Sequence, residues 1–222
     1  SYFNPNELLV NKALAFGGLD ANGPILGNTW VWDAATGVWT QKTPSSPPSA
    51  RLWHALAWMG DKFLLFGGSS SSDTWTYDIV ADTWAQVTTA INPPANLVLP
   101  AMAYDSHRNR VILIGGGQGD TNTWIFNVAA SSWSSYSLSP APSNRTGAVM
   151  AYDRSNQKAI LVGGKVPRAA YLDDTWIFDP VNLTWTEVNP SIRPSARADG
   201  GMAYDTRNAR VILYGGWAGN VS

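Results

Sequence analysis

One block recurs along this chain in near-identical form and limits its fold more than any other feature. A strand ends in Gly-Gly, a Thr-Trp pair follows, and a lone Trp stands nine residues beyond that pair. The four cores read AFGG…NTWVWDAATGVWT, LFGG…DTWTYDIVADTWA, LIGGG…NTWIFNVAASSWS and LVGG…DTWIFDPVNLTWT, and a fifth opens at LYGG. The first glycines are Gly17, Gly67, Gly115, Gly163 and Gly215, which gives periods of 50, 48, 48 and 52 residues. A period of this length means one supersecondary unit per copy, each burying its apolar face against the next.

Within a copy the patterning has period two. Trp30 and Trp32 fall on one face of a strand, here c, and Thr29, Val31 and Asp33 on the other. A Gly- and Asp-rich breaker then leads to strand d with Trp39. Six residues separate Trp32 from Trp39, Tyr77 from Trp84, Phe126 from Trp133 and Phe178 from Trp185. An even hairpin loop sets each pair directly opposite across the ladder. Each buried ring removes about 150–250 Å² from water, at most roughly 4–6 kcal/mol. Ahead of each Gly-Gly runs an apolar strand b (Phe63–Phe66, Val111–Ile114, Ala159–Val162, Val211–Tyr214), and ahead of that a strand a of the form AMAYD, AVMAYD or GMAYD.

Four antiparallel strands per period make one blade of a β-propeller. The Gly-Gly after strand b, the second aromatic of strand c and the Trp seven positions on resemble the kelch repeat, and the likeness covers essentially the whole chain. The expected fold is therefore all-β: a single kelch-type propeller domain over residues 1–222, with blades near 1–45, 46–95, 96–142 and 143–193 and a partial blade at 194–222. Glu7 stands five residues before Lys12, as Asp105, Asp153 and Asp205 stand before Arg110, Lys158 and Arg210, so residues 1–6 read as the tail of a first strand a. Four full blades plus part of a fifth point to an excerpt of a larger closed ring, completed by further chain or by another subunit, because sheets avoid open edges.

Composition narrows the functional classes. The chain has no cysteine, so disulfide scaffolds, thiolate chemistry and Cys-based zinc sites are excluded. Net charge is −1 and no apolar run approaches the roughly 20 residues of a membrane span, which gives no case for nucleic acid or membrane insertion. Charged residues make up 14% against about 25% in an average domain, which favours an extracellular or cell-surface setting.

Function is expected in the loops, since propeller strands are occupied with packing. The d–a and b–c loops share one end, where Leu19–Asn28 and Lys165–Asp174 are long and Ser69–Asp73 is short; the last long loop brings Lys165 and Arg168. The d–a loops carry P-x-x-R at Pro48–Arg51, Pro142–Arg145 and Pro194–Arg197, with Asn96 expected in place of the arginine in the remaining copy. By the kelch resemblance, arginines here line a peptide pocket, so Arg51, Arg145 and Arg197, with His54 on strand a, are candidates for an anion-binding ring. The plainer reading has each arginine bonding carbonyls or an acid of the neighbouring blade. Trp53 and Trp217 lie outside the repeated aromatic positions and suit stacking against a sugar. At the other end, Asp105–Arg110, Asp153–Lys158 and Asp205–Arg210 read as hairpin ion pairs, with a basic rim as the sharper alternative. Asn28, Asp73, Asn122 and Asp174 read as side-chain caps of the turn into strand c.

No catalytic constellation is visible. A kelch enzyme of the galactose oxidase type needs a Cys-linked tyrosine, which this chain cannot build, and its only glutamates are Glu7 and Glu187. Sequons at Asn144, Asn182 and Asn220 would matter in a secreted protein. The reading is a non-catalytic module without cofactor or metal that recognises a protein or peptide through the b–c and d–a face. Glycan binding, and a fragment of an enzyme with its chemistry elsewhere, are the alternatives.

Overall fold

A computed structural model describes residues 12–218, so Glu7 and Asn220 lie outside the described residues. Blade 1 comprises β1 (Lys12–Leu19), β2 (Ile25–Asp33) and β3 (Val38–Lys42). Blade 2 comprises β4 (Ala55–Trp58), β5 (Lys62–Gly68), β6 (Ser71–Asp78) and β7 (Thr83–Val87). Blade 3 comprises β8 (Ala101–Asp105), β9 (Arg110–Ile114), β10 (Thr123–Asn127) and β11 (Ser132–Tyr136), and blade 4 β12 (Val149–Asp153), β13 (Lys158–Val162), β14 (Thr175–Asp179) and β15 (Thr184–Val188). The a and b strands of blade 5 are β16 (Ala198–Asp205) and β17 (Arg210–Trp217). Every sheet is an antiparallel meander, and the five sheets do not close on one another. The a strands form the inner edge: β4 meets β8, β8 meets β12 and β12 meets β16.

The aromatic pairs lie where loop parity places them. Trp32 is opposite Trp39, Tyr77 opposite Trp84, Phe126 opposite Trp133 and Phe178 opposite Trp185, with ring centroids 5.7, 4.9, 5.1 and 4.9 Å apart. Those separations suit tilted ring packing.

The core lies in the seams between blades. Strand b is apolar without interruption because its alternate residues enter opposite seams: Phe63 and Leu65 pack with Phe16 and Val31 of blade 1, while Leu64 and Phe66 pack with Leu113, Phe126 and Trp133 of blade 3. Ile112 and Ile125 join Leu161, Phe178 and Trp185 in the next seam. A repeated indole–threonine bond links blades in three of the four seams. The d-strand indole of Trp84 donates to Thr29 Oγ1 of the preceding blade at 3.0 Å, Trp133 to Thr74 at 2.8 Å and Trp185 to Thr123 at 2.8 Å, all buried. Thr29, Thr74 and Thr123 of the Thr-Trp pairs are thus docking points for the following blade.

Candidate functional site

The d–a loops build one end of the inner channel through a repeated Ser-x-Arg. Arg51 spends all five guanidinium N–H groups: Nε on the Ser49 carbonyl, the others on Ser49 Oγ, the Gly67 carbonyl (2.9 Å) and both Asp73 oxygens (2.5 and 3.0 Å). Arg145 repeats the set with Ser143, Gly163 and Asp174, the last at 2.7 Å twice. Both arginines are 1% exposed. Arg197 bonds Ser195 and the Gly215 carbonyl and is half-exposed. The arginine backbone reaches the other way, toward the preceding blade. Gly18, Gly116 and Gly164 donate to the carbonyls of Arg51, Arg145 and Arg197 at 2.8, 2.7 and 2.8 Å. Such closeness needs glycine in the pair: a Cβ on Gly115 would stand 2.9 Å from the Arg145 oxygen, at a φ of +84°. Each arginine therefore joins its own b–c loop to the blade before it.

Two sequence expectations are corrected by these contacts. Asp73 and Asp174 do not cap the turn into strand c; they take the arginines and, at 2.7 Å, the indoles of Trp75 and Trp176. Burial, the largest influence on each carboxyl, pushes its pKa up, but the arginine and indole bonds outweigh it and hold both below the usual carboxylate value. In blade 3 the arginine position is filled by Leu97, buried, with Asn96 one residue short of it. The facing acid is replaced there by Asn122, and the Trp124 indole turns to Asp120. Both members of the pair change together, which leaves no buried charge unpaired.

Two residues past each Ser-x-Arg position, the chain enters the left-handed region at Trp53 (φ 65°), Leu99 (50°), Gly147 (61°) and Asp199 (60°). These residues are bonded in series around the channel. Leu99 N–H donates to the Trp53 carbonyl at 3.1 Å, Gly147 to Leu99 at 3.0 Å and Asp199 to Gly147 at 2.8 Å. This open series is common to four blades, and what each residue carries differs: an indole, a leucine side chain, no side chain and a carboxylate. Trp53 stands 51% exposed, and the absence of a side chain at Gly147 leaves room for the Asp199 carboxylate above it. A depression of about 240 Å³ results, lined by His54, Leu99, Pro100, Gly147, Ala148 and Asp199. A second, of about 340 Å³, lies beside Trp53 between Ser69, Ser70, Asn96 and Gln118.

The charges of this mouth are set by its surroundings. Burial first, then the Arg51 guanidinium, push His54 down from 6.5 to about 4, so its ring is neutral at pH 7, with Nδ1 buried and unpartnered among the described residues. Burial raises the Asp199 carboxyl, with Lys165 opposing. Lys165 lies in a small hairpin of blade 4, bridged to Thr146 and Tyr171 and set over the Tyr171 ring at 5.0 Å. Arg168 is at its exposed tip with φ 62°. Trp217, 59% exposed, occupies in blade 5 the place Lys165 has in blade 4. The structure thus brings Trp53, His54, Lys165 and Arg168 to one end with Trp217, and keeps Arg51 and Arg145 beneath the loops. Leu99, Gly147 and Asp199 were not read from the sequence. Their signal is positional: each lies two residues beyond the arginine position of its blade, held by Leu97, Arg145 and Arg197.

At the opposite end, Asp105–Arg110 (3.2 Å) and Asp205–Arg210 (3.5 Å) pair as expected, but Lys158 bonds Asp179 at 2.7 Å instead of Asp153. Lys12 and Lys62 likewise take Asp33 and Asp78, the acids ending strand c. Blade 3 has Asn127 there, so Arg110 keeps Asp105. Of the sequons, Asn144 is half-buried with its amide on the Gly117 carbonyl at 3.2 Å, and Asn182 is exposed in a c–d turn with its amide on Asp179 at 2.9 Å.

Comparison with known proteins agrees with this architecture. A family model described as the KLHDC2/KLHL20/DRC7 Kelch-repeats domain matches residues 7–139 and again residues 60–222. Host cell factor 1 of Homo sapiens and of Mus musculus is 24% identical over 213 residues, 93% of this chain but 9% of theirs. A Rab9 effector protein with kelch motifs from Xenopus laevis is 32% identical over 75 residues, 32% of this chain and 20% of its own. The chain spans only a small part of these relatives.

Proposed function

Because this chain belongs to the kelch-repeat domain family, we propose that it is a non-catalytic module that binds a protein or peptide segment at the d–a and b–c end of its channel. The observation that carries the reading is the bonded series of Trp53, Leu99, Gly147 and Asp199. It fixes three chemically different side chains and a gap at Gly147 at one mouth, with the half-exposed Trp53 indole lining one of two neighbouring depressions. Rigid backbone beneath a large amphipathic ring is the usual composition of an energetic anchor. Lys165, Arg168 and Trp217 extend the contact surface, while Arg51, Arg145 and Arg197 hold the loops that carry it. The matched relatives support the class, one being named an effector protein and another a host cell factor.

Selection of displayed peptides against the whole chain, followed by affinity measurement in solution, tests the reading. Selected peptides are expected to weaken about tenfold or more on Trp53→Ala and to be indifferent to Asn182→Gln at the far end. Peptides that ignore Trp53→Ala but respond at the far end would move the site. Exposed Trp53 and Trp217 favour glycan binding as the second reading, so a glycan array is run alongside. Saturable glycan binding lost in Trp53→Ala, with no peptide selected, would replace the first reading by the second.

A further inference from the structure

The far end of the channel carries a second constellation that the peptide-binding reading does not use. At one register position of strand a, successive blades place Trp58, Tyr104, Tyr152 and Tyr204, an aromatic collar around a cavity of about 580 Å³. That volume is in the range of small-molecule sites, about 300–1,000 Å³. Met102 and Met150 line it as well, and their thioethers adapt to flat apolar ligands. Two residues beyond each ring stand Gly60, Ser106, Arg154 and Thr206, so Arg154 is the one guanidinium at this position. Arg108 reaches the Tyr152 hydroxyl at 3.4 Å but is committed to Asp105 and Gln157.

The charges here are unequal in their availability. Asp105, Asp153 and Asp205 are turned into their own a–b turns, where each accepts two backbone N–H groups at 3.0–3.2 Å as well as side-chain donors. Arg154 is exposed and makes no ion pair or hydrogen bond among the described residues. Ser106 Oγ, on the same wall, is buried without a partner among the described residues. Asp61 and Asp105 oppose the Arg154 charge: burial first, then both carboxylates, raise the pKa of the Tyr104 phenol while Arg154 lowers it. Of the two acids, Asp61 is the one not held by its own turn among the described residues. An unspent guanidinium and an orphan hydroxyl beside aromatic walls complement a planar group that ends in a carboxylate.

We propose that the a–b mouth binds an aromatic monocarboxylate, its ring among Trp58, Tyr104 and Tyr152 and its carboxylate on Arg154 with Ser106 as a further donor. The ligand enters from the end opposite Trp53, so the two sites are separate.

Biphenylcarboxylate titrated into the whole chain, followed by tryptophan emission and saturation-transfer NMR, tests this. Saturable binding is expected, weakened about tenfold by Arg154→Gln and to the same extent by the carboxamide analogue. Asp61→Asn should tighten it about twofold. Trp53→Ala should leave it unchanged, as should Arg207→Gln, at an exposed cation of the blade 5 a–b turn outside the cavity lining. Circular dichroism checks that each variant is folded, which these exposed positions allow. No saturable binding to the unmodified chain overturns the proposal. So does undiminished binding in Arg154→Gln, or a loss in Trp53→Ala equal to that in Arg154→Gln.

Discussion

The pair Leu97 and Asn122 is a substitution experiment already written into the chain. Where blades 2 and 4 have Arg51 with Asp73 and Arg145 with Asp174, blade 3 replaces the cation by an apolar residue and the acid by an amide. Changing one partner alone strands a charge in a half-buried place. Arg51→Leu is therefore expected to cost about 3 kcal/mol, and Arg51→Leu with Asp73→Asn to recover most of it, as read by urea unfolding. The buried Gly67 carbonyl would still have lost its guanidinium donor, so recovery should be incomplete. The same pairing bears on His54, held neutral first by burial and then by Arg51. Between pH 6.5 and about 4 the unfolded chain takes up a proton that the folded one refuses. Stability is thus fully present above 6.5 and is lost as pH falls toward 4, by at most about 3 kcal/mol. In His54→Gln that slope should vanish, which unfolding midpoints across the window would show. In the sequence, counting from Pro93 puts Asn96 at the arginine position of blade 3, whereas the structure follows the phase of Pro94. Counting 18 residues back from the first glycine, as from Gly163 to Arg145 and Gly215 to Arg197, selects Leu97; the interval is 16 in blade 2, whose a–b turn is two residues shorter.

At the level of strands, hairpin parity made the c–d aromatic pairs legible, because a two-residue side-chain period and an even loop leave one register. The bond from each d-strand indole to the preceding blade's threonine was not legible. It joins residues 55 to 62 apart, and nothing local distinguishes a threonine that receives an indole from one that faces water. For the same reason the channel-mouth series escaped the sequence: Trp53, Leu99, Gly147 and Asp199 share a backbone conformation but no side-chain chemistry. The threonine is the economical place to test how blades are joined. Thr74→Val keeps shape and removes the hydroxyl, so the Trp133 Nε1 would be buried without an acceptor. A loss of about 1–3 kcal/mol is expected, against less than about 0.5 for Thr186→Val on an exposed strand position. Equal effects of the two substitutions would mean that the buried bond contributes nothing to the seam.

Across the whole molecule, stability follows the number of seams that a blade enters. Blades 2, 3 and 4 are covered on both faces, and their strands b are buried along most of their length. The end blades are not. Trp39 of blade 1 is 48% exposed while its counterparts Trp84, Trp133 and Trp185 are buried, and Tyr214 of blade 5 is 83% exposed where Phe66 and Ile114 are covered. Repeat architectures add up from units and nearest-neighbour interfaces, so a unit with one interface opens at lower free energy than one with two. Amide exchange should therefore be graded along the chain. The amides of Ile112 and Leu113, at the centre of blade 3, are expected to exchange slowest, through the largest opening. Those of β16 and β17 should exchange fastest among strand amides, although their backbone pairing is as regular as that of the inner sheets. Arg51→Leu should then lower protection in blades 1 and 2 more than in blade 4, since Arg51 holds the Gly67–Asp73 loop and accepts from Gly18 across the first seam. Uniform protection across the five blades, or a uniform response to that substitution, would show that the arc unfolds as one cooperative unit and that seam count does not govern its stability.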